Sequence, residues 1–328
     1  MIEKIYVYES FDLDPYRNIA TEKYLLELVQ PGQCILYLWQ NKNTVVIGHN
    51  QNAWAECRTT LLEQEGGKLA RRLSGGGAVY HDVGNLNFTF LLRDEDYDVD
   101  RQLSVIQEAL RSLGIEAVKS GRNDLLVQDR KFSGNAFYHR QGHAYHHGTL
   151  LVNVDMDKLS RYLTPPKAKL EAKGIQSVRS RVANLTEFAP FLTCDALRRY
   201  MTDAFGRVYG KAPEILSLSA EAADEIKKTA QELSTWDWLF GPRLPFSFCC
   251  EERFSWGSIQ LQLQVESGII TDARVYTDSM DWLLSKQVCD ALKGCRFILK
   301  ELCNALKAVM DDPDICADLC RLLQKQDI

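Results

Sequence analysis

Three consecutive glycines, Gly75–Gly77, place the strongest constraint on how this 328-residue chain can fold. They follow the paired arginines Arg71 and Arg72 and join two strand-like runs. Glycine adopts positive φ and lets the backbone approach a ligand closely, so successive N–H groups in such a loop can converge on an anionic oxygen. The segment is not a dinucleotide or P-loop fingerprint, because Tyr80 stands where the third glycine is needed and no Gly-Lys-Ser/Thr follows. It predicts an anion-binding loop, with a flexible hairpin as the alternative.

Short apolar or alternating runs, separated by glycine and asparagine, recur along the chain between helical segments. The longest apolar runs, such as Cys34–Trp39, have strand length, far below the roughly 18 residues that a membrane-spanning helix needs. Strands in runs with interspersed helices predict an α+β fold, with mixed or antiparallel sheets flanked by helices. The predicted strands are Lys4–Tyr8, Ile35–Trp39, Thr44–Gly48, Leu69–Arg72, Leu86–Leu92, Leu125–Val127 and Gly148–Val154. The predicted helices are Pro15–Val29, Leu103–Leu113, Asp195–Tyr209 and Ala220–Leu233.

Two domains are predicted, over residues 1–244 and 245–328. The length suggests two domains at roughly 150 residues each, and Gly241–Pro245 has the composition of a linker. Beyond it, Leu261–Val265 alternates with glutamines, and a Glu-Ser-Gly turn leads back through Ile269–Tyr276, which predicts a hairpin. The remaining segments have helical character, so the second domain is expected to be a small α+β unit.

The composition excludes several functional classes. The chain has 39 Lys and Arg against 44 Asp and Glu, a net charge of −5, so it has no overall basic field for nucleic acid. Residues 1–8 lack the features of a secretory signal, and with no membrane-length run they predict a cytoplasmic protein with no membrane partner. The ten cysteines include no C-x-x-C pair, which favours free thiols packed as small hydrophobic side chains.

A second glycine-bearing basic turn is predicted at Asp129–Ala136, downstream of Gly121–Leu125. Lys131 on a short strand beside such a turn can hold a phosphate or polarise a carbonyl; a solvated surface lysine is the alternative. Asp124 can help hold Mg²⁺ through phosphate oxygens, since Mg²⁺ usually takes one or two protein carboxylates, or it can pair with Arg122.

Two further segments contain polar or charged residues that are candidates for ligand binding. The adjacent His146 and His147 enter a strand, where neighbouring side chains point to opposite faces, so they are not expected to chelate one ion. One imidazole is predicted to be a hydrogen-bonding group in a pocket, and the other an ordinary surface or core residue. Lys167–Arg181 carries five basic side chains and one acidic one, which predicts a loop that closes on a charged ligand or a solvated linker.

In combination, these motifs resemble the lipoate-protein ligase A family. The matching segments, in the family's order, are Arg71–Phe88, Gly121–Leu125, Lys131–Ala136, His146–Leu151 and Ser177–Leu185. The resemblance spans roughly residues 1–245, and the remainder resembles the family's small C-terminal accessory domain. It implies a biotin/lipoate ligase-like catalytic domain followed by an α+β accessory domain.

The resemblance implies an ATP-dependent lipoate-protein ligase of lipoate salvage. The carboxylate of (R)-lipoate would attack the α-phosphate of ATP, releasing pyrophosphate and forming lipoyl-AMP. A lysine of an acceptor protein would then attack the lipoyl carbonyl and expel AMP. The implied cofactors are ATP and Mg²⁺, and the implied acceptors are lipoyl domains of 2-oxoacid dehydrogenase E2 subunits or the glycine cleavage H protein. Both steps build negative charge that arginines, N–H groups and a lysine would stabilise.

The resemblance also assigns site residues in this sequence. Lys131 matches the lysine that contacts both nucleotide and lipoate, and it is the predicted catalytic residue. Asn85 and Asp124 are expected near phosphates or Mg²⁺, with Asp124 as the possible metal contact, and Lys173–Val182 matches the adenylate-binding loop. The predicted binding residues are Arg72, Ser74, Gly75, Gly76, Gly77, Ala78, Val79, Tyr80, His81, Asn85, Asn123, Asp124, Lys131, Gly174, Val178 and Arg181.

Three alternatives remain open. A cysteine-dependent octanoyl or lipoyl transferase shares the fold but moves the acyl group through a thioester, for which Cys194 at a helix start is the candidate. A lipoate-binding regulator without turnover would keep the pocket, although intact Arg72, Lys131 and Asp124 argue against it. A biotin ligase would share the adenylation chemistry, but its Gly-Arg-Gly-Arg loop is replaced here by Arg71–Ser74.

Overall fold

The computed structural model describes residues 2–121, 123–163, 182–241 and 247–326. The chain divides into two compact units. The larger comprises residues 1–46, 54–71 and 78–239, and the smaller comprises residues 47–53, 72–77 and 240–328. The predicted boundary between residues 244 and 245 falls outside the described residues and stays a prediction.

In its described part the larger unit is built on a mixed sheet of eight strands. The strands of the unit are β1 (Lys4–Glu9), β2 (Gln33–Trp39), β3 (Thr44–Ile47), β4 (Lys68–Arg71), β5 (Val79–His81), β6 (Asn85–Arg93), β7 (Val118–Ser120), β8 (Asp124–Val127), β9 (Arg130–Arg140), β10 (His143–Leu151) and β11 (Glu214–Ile215). The large sheet has the order β11-β1-β2-β6-β10-β9-β8-β7, in which β1 is parallel to both neighbours and the other pairs are antiparallel. A small sheet has the order β4-β3-β5.

Several helices of the larger unit begin or end at local capping signals. Their ranges are α1 (Pro15–Leu28), α2 (Ala53–Glu56), α3 (Thr59–Gln64), α4 (Val99–Arg111), α5 (Met156–Tyr162), α6 (Cys194–Tyr209), α7 (Ala220–Leu233) and α8 (Trp236–Phe240), with 3₁₀ turns at Asp94–Asp96 and Leu185–Glu187. The Asp14 carboxylate accepts hydrogen bonds from the backbone N–H groups of Tyr16 and Arg17, and Pro15 occupies the first helical position. Gly210, in the left-handed conformation, ends α6.

The large sheet is covered differently on its two faces. On one face, Phe88 and Phe90 of β6 join a buried core with apolar side chains of α4 and α6. The opposite face receives α1, whose Glu22 reaches His147 of β10, and α7 packs against α1. Because neighbouring strand residues alternate between faces, the two adjacent histidines lie on opposite sides of the sheet.

The described part of the smaller unit has a core of its own. Its antiparallel sheet is formed by β12 (Phe248–Phe254), β13 (Gly257–Glu266) and β14 (Ile269–Thr277), and its helices are α9 (Leu284–Leu292), α10 (Leu299–Val309) and α11 (Pro313–Gln324). The predicted hairpin is therefore confirmed as β13 and β14. Cys303, Cys316 and Cys320 are buried in this core, as expected for thiols that pack as hydrophobic groups. Among the described residues, no helix combines the length and apolar character that a bilayer span requires.

The prediction of a basic turn over Asp129–Ala136 was wrong for most of that range. Gln128 and Asp129 have positive φ and make the turn, but the chain from Arg130 onward is the eleven-residue strand β9. Gly134 lies inside this strand, where it allows a close approach: a Cβ at this position would lie 3.0 Å from Nζ of Lys131. The short helices α2, α3 and α5 were not predicted, because segments of four to seven residues show too little periodicity.

A Gly148→Ala substitution should destabilise the larger unit by about 2 kcal/mol through overpacking. The new Cβ would meet the Gly134 carbonyl oxygen and Phe88 Cζ at 2.7 Å and Asn135 Oδ1 at 2.8 Å. Urea unfolding of purified protein measures the effect. The control is Gly77→Ala, whose Cβ would meet no atom within 4 Å and should change stability by no more than about 1 kcal/mol. Equal stability of the two variants would contradict the packing argument.

Candidate functional site

Arg72 holds the glycine-rich loop together. Its guanidinium is buried, with Nε 3.1 Å from Ser74 Oγ and Nη2 donating to the carbonyl oxygens of Gly75 at 2.7 Å and Gly77 at 2.8 Å. The planar guanidinium presents several donors in a fixed fork, so one side chain can satisfy several loop acceptors at once. In this conformation Arg72 stabilises the loop itself.

The loop also contacts a segment that follows β14. The Gly76 N–H donates to the Ser279 carbonyl oxygen at 2.9 Å, and a Cβ on Gly75 would lie 2.4 Å from that same oxygen. Gly76 has a φ of +89°, a conformation that favours glycine. The glycines are thus required both for the backbone path and for the close approach, and in this conformation the Gly76 N–H faces a protein carbonyl.

Ala78 precedes β5, which lies at the edge of the small sheet. This strand consists of the predicted binding residues Val79, Tyr80 and His81. The buried Tyr80 hydroxyl donates to Asn43 Oδ1 at 3.1 Å, and burial raises the pKa of this phenol well above its usual value. Asn41 Nδ2 lies 3.1 Å from His81 Nδ1. An amide NH₂ can only donate, so His81 accepts at Nδ1 and carries its proton at Nε2.

Asp124 and Lys131 are the predicted site residues that the larger unit brings into direct contact. Asp124 begins β8, Lys131 lies in β9, and Lys131 Nζ is 2.7 Å from Asp124 Oδ1. Both side chains are about one third exposed, at 37% and 34%. The β8–β9 ladder shifts register between Leu125 and Leu126, and such bulges redirect side chains. The arrangement leaves a partly accessible ammonium beside a carboxylate.

The chain that follows the predicted adenylate-binding loop returns beside Lys131. The Ala183 N–H donates to the Lys131 carbonyl oxygen at 2.9 Å, and Val182 forms a parallel bridge with Lys131. Three predicted binding residues of that loop lie outside the described residues: Gly174, Val178 and Arg181. Their roles stay predictions, but the end of their segment is joined to the Lys131 backbone.

The two predicted asparagines form different contacts. Asn123 Nδ2 donates to the Asn135 carbonyl oxygen at 2.9 Å. Asn85 Nδ2 donates to Asn87 Oδ1 at 2.9 Å, and both residues are buried on β6. Asn85 Oδ1 and Asn87 Nδ2 have no hydrogen-bond partner among the described residues. Buried polar atoms in native proteins are normally paired, so Asn87 joins the candidate site although it was not singled out from the sequence.

A buried polar cluster on the α1 face of the large sheet was also missed. His147 Nδ1 lies 2.7 Å from Glu22 Oε1, the same oxygen accepts from Thr89 Oγ1 at 2.7 Å, and Trp39 Nε1 donates to Thr89 Oγ1 at 3.1 Å. Glu22 is fully buried. The sequence held a signal for it, because helical spacing places Glu22 on the apolar face of α1. A carboxylate at such a position needs a buried partner.

The described residues fit Mg²⁺ only as an ion that arrives with a phosphate ligand. Within the described ranges, no three His, Cys, Asp or Glu side chains are grouped to hold a metal ion. Asp124 supplies one carboxylate, which suits Mg²⁺ because this ion usually combines one or two carboxylates with substrate phosphates and water. Asp124 therefore stays the proposed contact.

Comparison with known families identifies the class of protein. A model of the lipoyl protein ligase A/B catalytic domain matches residues 14–206, and a model of the bacterial lipoate protein ligase C-terminus matches residues 244–315. The chain belongs to the lipoyl protein ligase A/B catalytic domain family.

Solved structures of lipoate ligases share the fold. P. falciparum LipL1, solved in complex with lipoate, has a TM-score of 0.87 and 28% identity, covering 98% of this chain and 100% of that chain. A bi-partite lipoate protein ligase from Thermoplasma acidophilum, described with its E2 lipoyl domain, has a TM-score of 0.66 and 27% identity, covering 76% and 100%. A lipoate-protein ligase A bound with ATP has a TM-score of 0.64 and 26% identity, covering 74% and 99%. The predicted family and α+β fold with a C-terminal domain are confirmed.

Replacing Glu22 with alanine should lower the free energy of unfolding by about 3 kcal/mol, because it removes one partner of a buried pair and leaves polar groups unpaired. Glu27→Ala is the matched control on the same helix, since the Glu27 side chain is 59% exposed. Urea unfolding of both variants checks the expectation. Similar losses in both would show that the buried cluster contributes nothing specific.

Proposed function

We propose that this protein is an ATP-dependent lipoate-protein ligase, which forms lipoyl-AMP from (R)-lipoate and ATP and then transfers the lipoyl group to a lysine of an acceptor lipoyl domain. The observation that carries the proposal is the 2.7 Å contact of Lys131 with Asp124 in a chain of the lipoyl ligase family. The lipoate complex of P. falciparum LipL1 and the ATP complex of a lipoate-protein ligase A support the two substrates.

In the proposed adenylation step, Lys131 supplies a compact positive charge. As the lipoate carboxylate attacks the α-phosphorus, a bond to a carboxylate oxygen forms, the bond to the bridging oxygen breaks, and pyrophosphate departs with the electron pair. Negative charge on phosphate oxygens is strongly stabilised by a preplaced ammonium. Asp124 holds the ammonium in place before substrates bind. Mg²⁺, when bound, would neutralise phosphate charge, and Asp124 is the carboxylate proposed to hold it.

The glycine-rich loop is proposed to bind nucleotide through Arg72 and backbone N–H groups. In the described conformation these donors are engaged by the carbonyl oxygens of Gly75, Gly77 and Ser279. Binding of phosphate oxygens at this loop would exchange carbonyl partners for charged ones, which form stronger hydrogen bonds. The loop thus has the donors that the proposal requires.

In the proposed transfer step, the acceptor lysine attacks the lipoyl carbonyl as a neutral amine, an amide bond forms, and AMP leaves. The proposed acceptors are lipoyl domains of 2-oxoacid dehydrogenase E2 subunits or the glycine cleavage H protein. The archaeal relative described with its E2 lipoyl domain supports this acceptor class. No covalent enzyme intermediate is needed.

A Lys131→Ala variant should lose about a hundredfold in the rate of lipoate-dependent ATP–pyrophosphate exchange, the effect expected for removing one preplaced donor of positive charge. Lys23→Ala is the control, because Lys23 lies on α1 and forms an exposed ion pair with Glu27 at 3.9 Å. An exposed pair contributes little, so this variant should exchange at nearly the wild-type rate. Undiminished exchange in Lys131→Ala would contradict the proposed role.

The structure weakens the case for a thioester mechanism. Cys194 begins α6, its Sγ lies 3.5 Å from the Val83 carbonyl oxygen, and burial raises the pKa of its thiol to about 12. The reactive form of cysteine is the thiolate, which is scarce at neutral pH when the pKa is so high.

Cys194→Ala should therefore retain the wild-type rate of ATP-dependent lipoylation of a lipoyl domain. Mass spectrometry of the acceptor measures the rate, and thermal unfolding controls for folding. Loss of transfer in a folded Cys194→Ala protein would favour the cysteine-dependent transferase instead.

A further inference from the structure

His146 is a buried polar residue with a specific set of partners on the α4 face of the large sheet. Its side chain is inaccessible, with Nε2 lying 2.8 Å from Asn135 Oδ1 and Nδ1 lying 3.0 Å from the Gln102 side chain. The rings of Phe88 and Phe90 pack around it, with centroids at 5.3 and 6.0 Å. Burial lowers the pKa of His146 to about 3, so the ring is neutral near pH 7.

The hydrogen bonds determine which ring nitrogen carries the proton. Asn135 Nδ2 donates to the Asn123 carbonyl oxygen at 3.0 Å, so Asn135 Oδ1 must be the acceptor that faces His146. His146 therefore donates from Nε2, and its unprotonated Nδ1 needs a donor. Turning the Gln102 amide so that its NH₂ group faces Nδ1 satisfies this need. The same orientation pairs the buried Gln102 amide nitrogen, which otherwise has no partner within the described chain.

Asn135 connects His146 by hydrogen bonds to the turn that directly precedes Asp124. Besides its side-chain bond, Asn135 donates its backbone N–H to the Asn123 carbonyl oxygen at 2.8 Å, and Asn123 Nδ2 donates back to the Asn135 carbonyl oxygen at 2.9 Å. Asn123 is thus held by three hydrogen bonds to one residue. Asp124 follows directly, and its carboxylate lies 2.7 Å from Lys131 Nζ.

Packing alone does not hold this turn. A cavity of about 280 Å³ borders Asn123, Asp124 and Asn135. Among the described parts of the chain, no protein atoms pack against these residues on the side of the cavity, so their polar contacts contribute more to their position. The bonds from His146 through Asn135 to Asn123 provide such contacts.

We propose that His146 is a positioning residue for adenylation: through Asn135 it fixes the turn at Asn123 and thereby the place where Asp124 meets Lys131. This inference rests on the proposed ligase function. His146 itself does not touch the substrates; it acts through Asn135. Because the turn at Asn123 leads directly into Asp124, the proposed Mg²⁺ contact, we expect His146 to affect the use of MgATP more strongly than the binding of lipoate.

The test compares His146→Leu with Phe90→Leu in steady-state ATP–pyrophosphate exchange. Phe90→Leu trims the same buried cluster but keeps every hydrogen bond of the chain from Gln102 to Asn123. We expect His146→Leu to lower kcat/KM for MgATP by about 10–100-fold, the usual effect of removing an outer hydrogen-bond partner, while the Kd for lipoate measured calorimetrically stays nearly constant. His146→Gln, which retains a donor and an acceptor, should recover much of the loss.

The kinetics of these variants support or contradict the positioning role of His146. Equal kinetics for His146→Leu and Phe90→Leu would overturn it, whereas absent exchange in the wild-type protein would instead contradict the ligase function itself. If His146→Leu does not fold, Gln102→Leu replaces it, with a smaller loss for MgATP supporting the proposal and unchanged kinetics refuting it.

¹⁵N NMR of the His146 imidazole should show the neutral Nε2–H form from pH 5 to 8. A titrating ring or an Nδ1–H form would contradict the hydrogen-bond assignment.

Discussion

The antiparallel pairing of β9 with β10 is the constraint on which the catalytic half depends. Gly148 stands opposite Asn135, and the space that its missing Cβ leaves is bordered by the Gly134 carbonyl oxygen and the Asn135 side chain. A Cβ at residue 148 would not fit at this register, so the observed pairing requires glycine there. The register then places His146 against Asn135 on one face and sends His147 to the other. A single strand pair thus positions polar groups on both sides of the sheet.

Polar side chains are buried on both faces of the large sheet, but their hydrogen-bond partners differ in kind. His146 stays neutral, and its two ring nitrogens match the amides of Gln102 and Asn135, so its burial carries no cost of a buried charge. On the other face, Glu22 shares one oxygen between His147 and Thr89. Such arrangements tolerate little change, because removing one partner leaves the other unsatisfied in a low-dielectric interior. The Lys131–Asp124 pair differs from both, since partial exposure lets its partners change when a charged substrate arrives.

Local signals predicted much of the fold, while long-range contacts stayed hidden. Asp14 and Pro15 indicated the start of α1, because capping depends on neighbouring residues alone. The sequence offered Arg122, which lies outside the described residues, or Mg²⁺ as partners of Asp124. It did not predict the contact with Lys131, which depends on a bulge that shifts the β8–β9 register. Arg71 likewise appeared to belong with its neighbour Arg72, yet its guanidinium binds carbonyl oxygens at the end of α8, including that of Trp238. The local spacing of residues cannot predict partners that lie more than 160 residues apart in the sequence.

The proposed ligase function has one central requirement: this chain must both activate lipoate with ATP and transfer the lipoyl group. Mass spectrometry of a lipoyl domain incubated with the protein tests it most directly, with lipoate plus MgATP in one reaction and preformed lipoyl-AMP in a parallel one. We predict a lipoyl mass gain in both reactions, and none with lipoate when ATP is omitted. A mass gain from lipoyl-AMP alone would show a transferase without adenylation activity and would contradict the proposed ligase function.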